Sequence, residues 1–164
     1  MTKSTLFKGK LAGRIEPATM DPQKELANAW RNEMIPLLNG VTYPDGRWFQ
    51  MSEDLGELKV TETRWDTRDM GDQWTYFAQL CRESVPGNHL EVSAGEGGMG
   101  SDGIVALIDS RDNSLRWVLF SDLSNPFHRL EIRDKQILAE TTLDTRWTID
   151  LQKPENAFLW SVNG

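Results

Sequence analysis

Residues 103–151 constrain this chain more than any other stretch, because they read as an almost unbroken antiparallel meander. Gly103 to Asp109 and Leu115 to Phe120 are continuous apolar runs, whereas Arg129 to Arg133 and Arg146 to Leu151 alternate strictly between polar and apolar. Alternation with period 2 marks a strand that has one wet face and one buried face. It sorts the side chains. Leu130, Ile132, Trp147, Ile149 and Leu151 belong inside, and Glu131, Arg133, Arg146, Thr148 and Asp150 belong outside. Turn signals at Arg111 to Asn113 and at Asp134-Lys135 join neighbouring strands, which therefore pair antiparallel.

The same reading extends upstream. Strands are expected over 46–51, 57–65, 73–82 and 89–93, with a hairpin turn at Pro86-Gly87-Asn88. A first strand is expected within 4–15. One helix is expected over 21–39: Asp21 caps it, Pro22 sits at the first helical position, and Leu26, Ala29, Trp30, Met34, Leu37 and Leu38 form a stripe. Pro36 kinks or ends its last turn, and Gly40 stands where a C-terminal cap belongs. Residues 154–160 read as a short helix or an edge strand. The expected fold is α+β and mostly β. It is a large curled antiparallel sheet or partly open barrel of about eight to ten strands, with the 21–39 helix packed on it. Nothing in 1–164 reads as a linker, so a single globular domain is expected.

Charge narrows the function. The chain carries 18 basic and 25 acidic residues, a formal net charge of −7. That balance argues against nucleic acid or an anionic membrane as partner and is compatible with a basic one. The basic residues Lys3, Lys8, Lys10 and Arg14 concentrate in the first 19 positions against Glu16 alone. Cys81 is the only cysteine, so no intramolecular disulfide forms. The first ten residues lack the apolar core of a signal peptide, and no apolar run reaches the length of a membrane span, so a cytoplasmic protein is expected. The seven tryptophans belong mostly to the core.

Motifs for chemistry are sparse. Gly95 to Gly100 matches G-x-G-x-x-G, but it leads into a strand rather than a helix, and Glu96 and Asp102 would repel phosphate. A mobile hairpin loop is the expectation there. His89 and His128 stand in no ligand pattern, and Cys81 has no second thiol, so no metal and no cofactor are expected. Ser121, Asp122 and His128 form a triad on paper only, without a nucleophile elbow. Gly46-Arg47-Trp48 resembles the Gly-x-Trp entry motif of lipocalins. That resemblance implies a barrel with a small apolar ligand inside, and it stands as an alternative. A carboxylate-based enzyme is a second alternative.

Acidic residues cluster in 53–72, where Trp65, Asp66, Asp69 and Asp72 combine an aromatic with three carboxylates. Such a combination suits a protein interface, and these four are the expected partner contacts. Downstream, Ser124 to Phe127, Leu130 to Ile132, Ile137 to Thr141, Trp147 and Pro154-Glu155 are similar to C-terminal segments of small bacterial toxin-immunity proteins. The resemblance covers 124–155. It implies a non-enzymatic protein-binding inhibitor that neutralises a toxin, such as a basic nuclease, by charge-complementary occlusion. The functional face is expected on the 53–72 segment and the 95–103 loop.

Overall fold

The computed structural model describes residues 21–55, 57–65 and 73–161. The strand expected within 4–15 and the contacts Asp66, Asp69 and Asp72 lie outside the described residues. The chain opens on helix α1, Pro22–Arg31. The Asp21 carboxylate accepts the Gln23 N–H at 3.0 Å, and Pro22 occupies the first turn. Leu26 and Trp30 are its buried residues.

The helix is shorter than the expected 21–39. It stops at Arg31, Glu33 turns into the left-handed region (φ 56°), and Met34–Pro36 forms strand β1. The reason is local. Pro36 offers no N–H and disfavours helical backbone at Ile35, so the apolar run from Met34 is more easily buried as a strand. Ile35 and Leu38 reach the core in that form. Strand β1 pairs with β5, Trp74–Tyr76.

Two larger sheets carry the body. Strands β2 (Gly40–Thr42), β3 (Arg47–Asp54), β4 (Glu57–Arg64), β6 (Ala78–Ser84), β7 (Leu90–Glu96), β8 (Gly103–Asp109) and β9 (Ser114–Ser121) form a seven-stranded sheet ordered β4-β3-β2-β9-β8-β7-β6. Strands β10 (Phe127–Arg133), β11 (Gln136–Thr141), β12 (Thr145–Asp150) and β13 (Phe158–Ser161) form a four-stranded meander. Every pairing is antiparallel. A 3-10 turn, Pro154–Asn156, precedes β13. Residues 154–160 thus hold both a short helical turn and an edge strand. The 103–151 meander divides at 122–126: β8 and β9 belong to the large sheet, β10 to β12 to the small one.

The small sheet lies face to face with the large one, β10 against β6 and β7, and β13 against β4. No closed barrel forms among the described residues. The space between the sheets is filled by side chains, among them Val105, Leu107, Leu119, Phe127, Trp147 and Ile149. On its other face the large sheet packs Ile104, Ala106, Ile108, Val118 and Phe120 against Leu26 and Trp30 of α1. Strand β8 is therefore buried at every residue. Two covered faces explain why 103–109 shows no alternation, while β11, with one face towards solvent, does.

The sorting of the meander holds for nine of its ten residues in direction, and Thr148 departs from it. Thr148 is 4% exposed, because Trp160 on β13 folds over it and donates its indole N–H to Thr148 Oγ1 at 3.2 Å. Trp160 is also the one exposed tryptophan.

Strand β2 is three residues long yet sits inside the large sheet between β3 and β9. Gly40 makes this possible. Its φ is +115°, and a Cβ there would run into the Phe49 carbonyl oxygen. Gly87, at φ +81° in the β6–β7 turn, has open space around it. Gly40→Ala is expected to cost on the order of 3 kcal/mol or more. Gly87→Ala should cost about 1 kcal/mol. Chemical denaturation of both variants checks this; equal losses would show that β2 tolerates a side chain at its entry.

Candidate partner-binding end

Antiparallel order places four connections at one end of the two sheets. Phe120 pairs with Gly40, and Gly40 with Gln50. Gly103 pairs with Ser121, and Phe127 with Thr141. The β3–β4 turn, the β7–β8 loop, the β9–β10 loop and the β11–β12 turn thus emerge together. Hydrogen bonds tie three of them. Asn125 N–H donates to Ser101 O at 2.9 Å, Ser101 Oγ to Asp122 O at 3.3 Å, and Thr142 N–H to Pro126 O at 3.0 Å. Asp122 N–H donates to Asn39 Oδ1 at 2.9 Å, which fixes this loop to the start of β2.

Each of these connections carries a large apolar side chain in the open: Leu55 (99% exposed), Met99 (57%), Leu123 (72%) and Leu143 (66%). The turns at the opposite end carry none among the described residues. Leu55 is also strained, with φ 53°. Six non-glycine residues have positive φ among those described, and four are Asn or Asp, which tolerate it. A leucine there gains nothing for the fold.

Carboxylates ring these tips. Glu53, Glu57, Asp122 and Asp144 have no ion-pair partner among the described residues, while Asp54 is held by Lys59 at 2.6 Å. Asp54 and Glu57 stand directly opposite each other in the β3–β4 register. At the other end several acids are met by side chains of the fold. Asp109 bonds Arg111 at 2.7 Å and Arg116 at 2.8 Å, and these bonds hold its carboxyl well below the usual carboxylate range. Asp45 pairs with Arg47 at 2.8 Å, and the Tyr43 hydroxyl donates to Glu155 at 2.6 Å. Burial, then the bond to Glu155, raises the Tyr43 pKa far above that of a free phenol.

The glycine-rich loop is anchored by its own acid. Asp102 is fully buried and accepts the Gly97 N–H at 2.9 Å and the Met99 N–H at 3.3 Å. Thr75 Oγ1 accepts the Gly98 N–H at 2.8 Å. The donors that would cradle a phosphate are thus already engaged. The expected loose hairpin is instead a pinned one that presents Met99.

Trp65, expected at the contact surface, is 4% exposed and packs with α1 in the core, its indole N–H donating to Tyr43 O at 3.3 Å. It supports the fold rather than a contact. Asp122 joins the loop end through its backbone, but its triad companions do not gather around it: Ser121 Oγ accepts the Ser124 N–H at 3.1 Å, and His128 lies exposed on β10 in the other sheet. Among the described residues no three His, Cys, Asp or Glu side chains are placed to hold a metal ion. Burial pushes the Cys81 thiol up to about 11, which makes it a slow nucleophile at neutral pH. No described helix is long and apolar enough to cross a membrane.

Leu123, Leu143 and Met99 escaped the sequence reading, although a signal was present. Each lies inside a turn signal: Gly98-Met99-Gly100, Asp122-Leu123-Ser124 and Thr142-Leu143-Asp144. A large apolar residue flanked by turn formers is anomalous, since turns are the wettest part of a sheet protein.

Asp102→Ala should loosen this end. The variant is expected to lose about 1–3 kcal/mol of stability through its orphaned amides. Hydrogen exchange at Gly97 and Met99 should accelerate while β8 stays protected; unchanged exchange at both amides would refute the anchoring role. The chain matches no protein-family model and no curated protein sequence.

Proposed function

We propose that this protein is a non-enzymatic protein-binding inhibitor of the toxin-immunity type, and that its loop end covers a basic surface of the partner. One observation carries the reading: four exposed apolar tips, on four neighbouring connections, stand among carboxylates that have no ion-pair partner among the described residues. Apolar anchors surrounded by charge are the composition of a protein interface. Unpaired carboxylates steer a basic partner in and set its register. The immunity class itself rests on the resemblance within 124–155. That segment supplies the β9–β10 loop from Ser124 onwards and the β11–β12 turn of this end.

Inhibition then needs no chemistry from this chain. The middle strands β8 and β9 are packed on both faces, so the β7–β8 and β9–β10 loops meet the partner with little ordering cost. The basic surface so covered is closed to an anionic substrate such as nucleic acid.

Leu55 offers a test that separates folding from binding. Leu55→Asn should stabilise the protein by about 1 kcal/mol, because asparagine accepts the left-handed backbone. It should weaken binding to a basic toxin encoded beside this protein by about tenfold or more, the loss of one buried anchor. Calorimetric titration and denaturation measure both. Glu57→Lys should slow association and flatten its salt dependence. If Leu55→Asn and Glu57→Lys leave affinity and association rate unchanged, the loop end is not the interface.

A further inference from the structure

A cleft of about 310 Å³ opens between the β3–β4 hairpin and the β9–β10 loop. Met51, Leu58 and Leu123 give it apolar walls, and Glu53 and Asp122 bring two carboxylates to it. Neither carboxylate has an ion-pair partner among the described residues.

Trp147 also lines this cleft, and it supplies an independent observation. It is 4% exposed, and its Nε1–H is buried without a hydrogen-bond partner. It is the only such side-chain atom among the described residues. Other indoles are satisfied: Trp30 by Asn113 O, Trp48 by Asn39 O, Trp65 by Tyr43 O, Trp117 by Leu151 O and Trp160 by Thr148 Oγ1. Five indoles are thus satisfied, and the buried one without a partner among the described residues belongs to a tryptophan that lines this cleft.

These features select an occupant. An anion would meet Glu53 and Asp122 and be repelled. A purely apolar ligand would strip water from both carboxylates and return nothing. Lysine and arginine side chains combine an apolar stem with a charged head. We infer that the cleft receives such a side chain from the partner protein. Its stem lies along Met51 and Leu58, and its cation faces Glu53 and Asp122, beside the Trp147 side chain that lines the cleft. This assignment rests on the basic-partner reading above and adds the residue type that the interface recognises.

The test uses the full chain, labelled with nitrogen-15, and two small probes. N-acetyl-L-arginine methylamide carries the cation; N-acetyl-L-citrulline methylamide is its neutral isostere. The arginine probe should shift the Trp147 indole signal and the amides of 51–58 and 121–123 in a saturable way. Glu53→Gln and Asp122→Asn should each weaken it by roughly threefold to fivefold, as for a partly exposed ion pair, with the remaining spectrum unchanged. Absence of a saturable shift, or equal binding of the citrulline probe, overturns the assignment. If the probe fails while Leu55→Asn still weakens the partner complex, only the cleft assignment falls. If the probe binds and no basic protein does, the interface reading falls and the cleft stands.

Discussion

Everything in this molecule depends on burying β8 and β9 from both sides. Their pairing runs from Gly103–Ser121 to Asp109–Ser114 and forms the middle of the large sheet. One face meets the small sheet through Val105, Leu107 and Leu119; the other meets α1 through Ile104, Ala106 and Val118. A strand pair that is apolar on both faces cannot stand at a surface. It needs two separate covers, and the rest of the chain supplies them: β10 to β13 on one side, α1 with the β1–β5 pair on the other.

This arrangement leaves the two ends of the sheets free to differ, and they do. At one end, turns are closed by ion pairs and by Asn and Asp residues, and charges such as Asp109 are met within the fold. At the other end, leucines and a methionine occupy turn tips, and Glu53, Glu57, Asp122 and Asp144 have no ion-pair partner among the described residues. Stability does not explain the second pattern. Leu55 holds a backbone conformation that costs a leucine energy, and its side chain touches solvent only. Strain without structural gain is the kind of feature that binding maintains.

Much of the fold was legible in the residues. Alternation placed β10 and β12 and sorted most of their faces, and Asp21-Pro22 marked the helix start. The helix end was not legible, because Met34 to Leu38 is a short apolar run that suits a helix stripe and a buried strand equally. The candidate site was only half legible. The 53–72 and 95–103 segments pointed towards the β3–β4 hairpin and the loop of Met99. Trp65 pointed wrongly, since an aromatic beside acids looks the same whether it faces a partner or the core. Leu123 and Leu143 were hidden because each is one apolar residue in a polar turn.

By itself the sequence determined most of the strands from residue 46 onwards, because period and turn chemistry are local properties of the chain. It also determined the formal net charge of −7. Only the tertiary structure decided that the 103–151 meander splits between two sheets, since both halves satisfy the same local rules and the choice depends on what covers each face. Only the tertiary structure, too, brought four turns from distant parts of the chain to one end. Their nearness follows from antiparallel pairing across the whole sheet, and no local pattern records it.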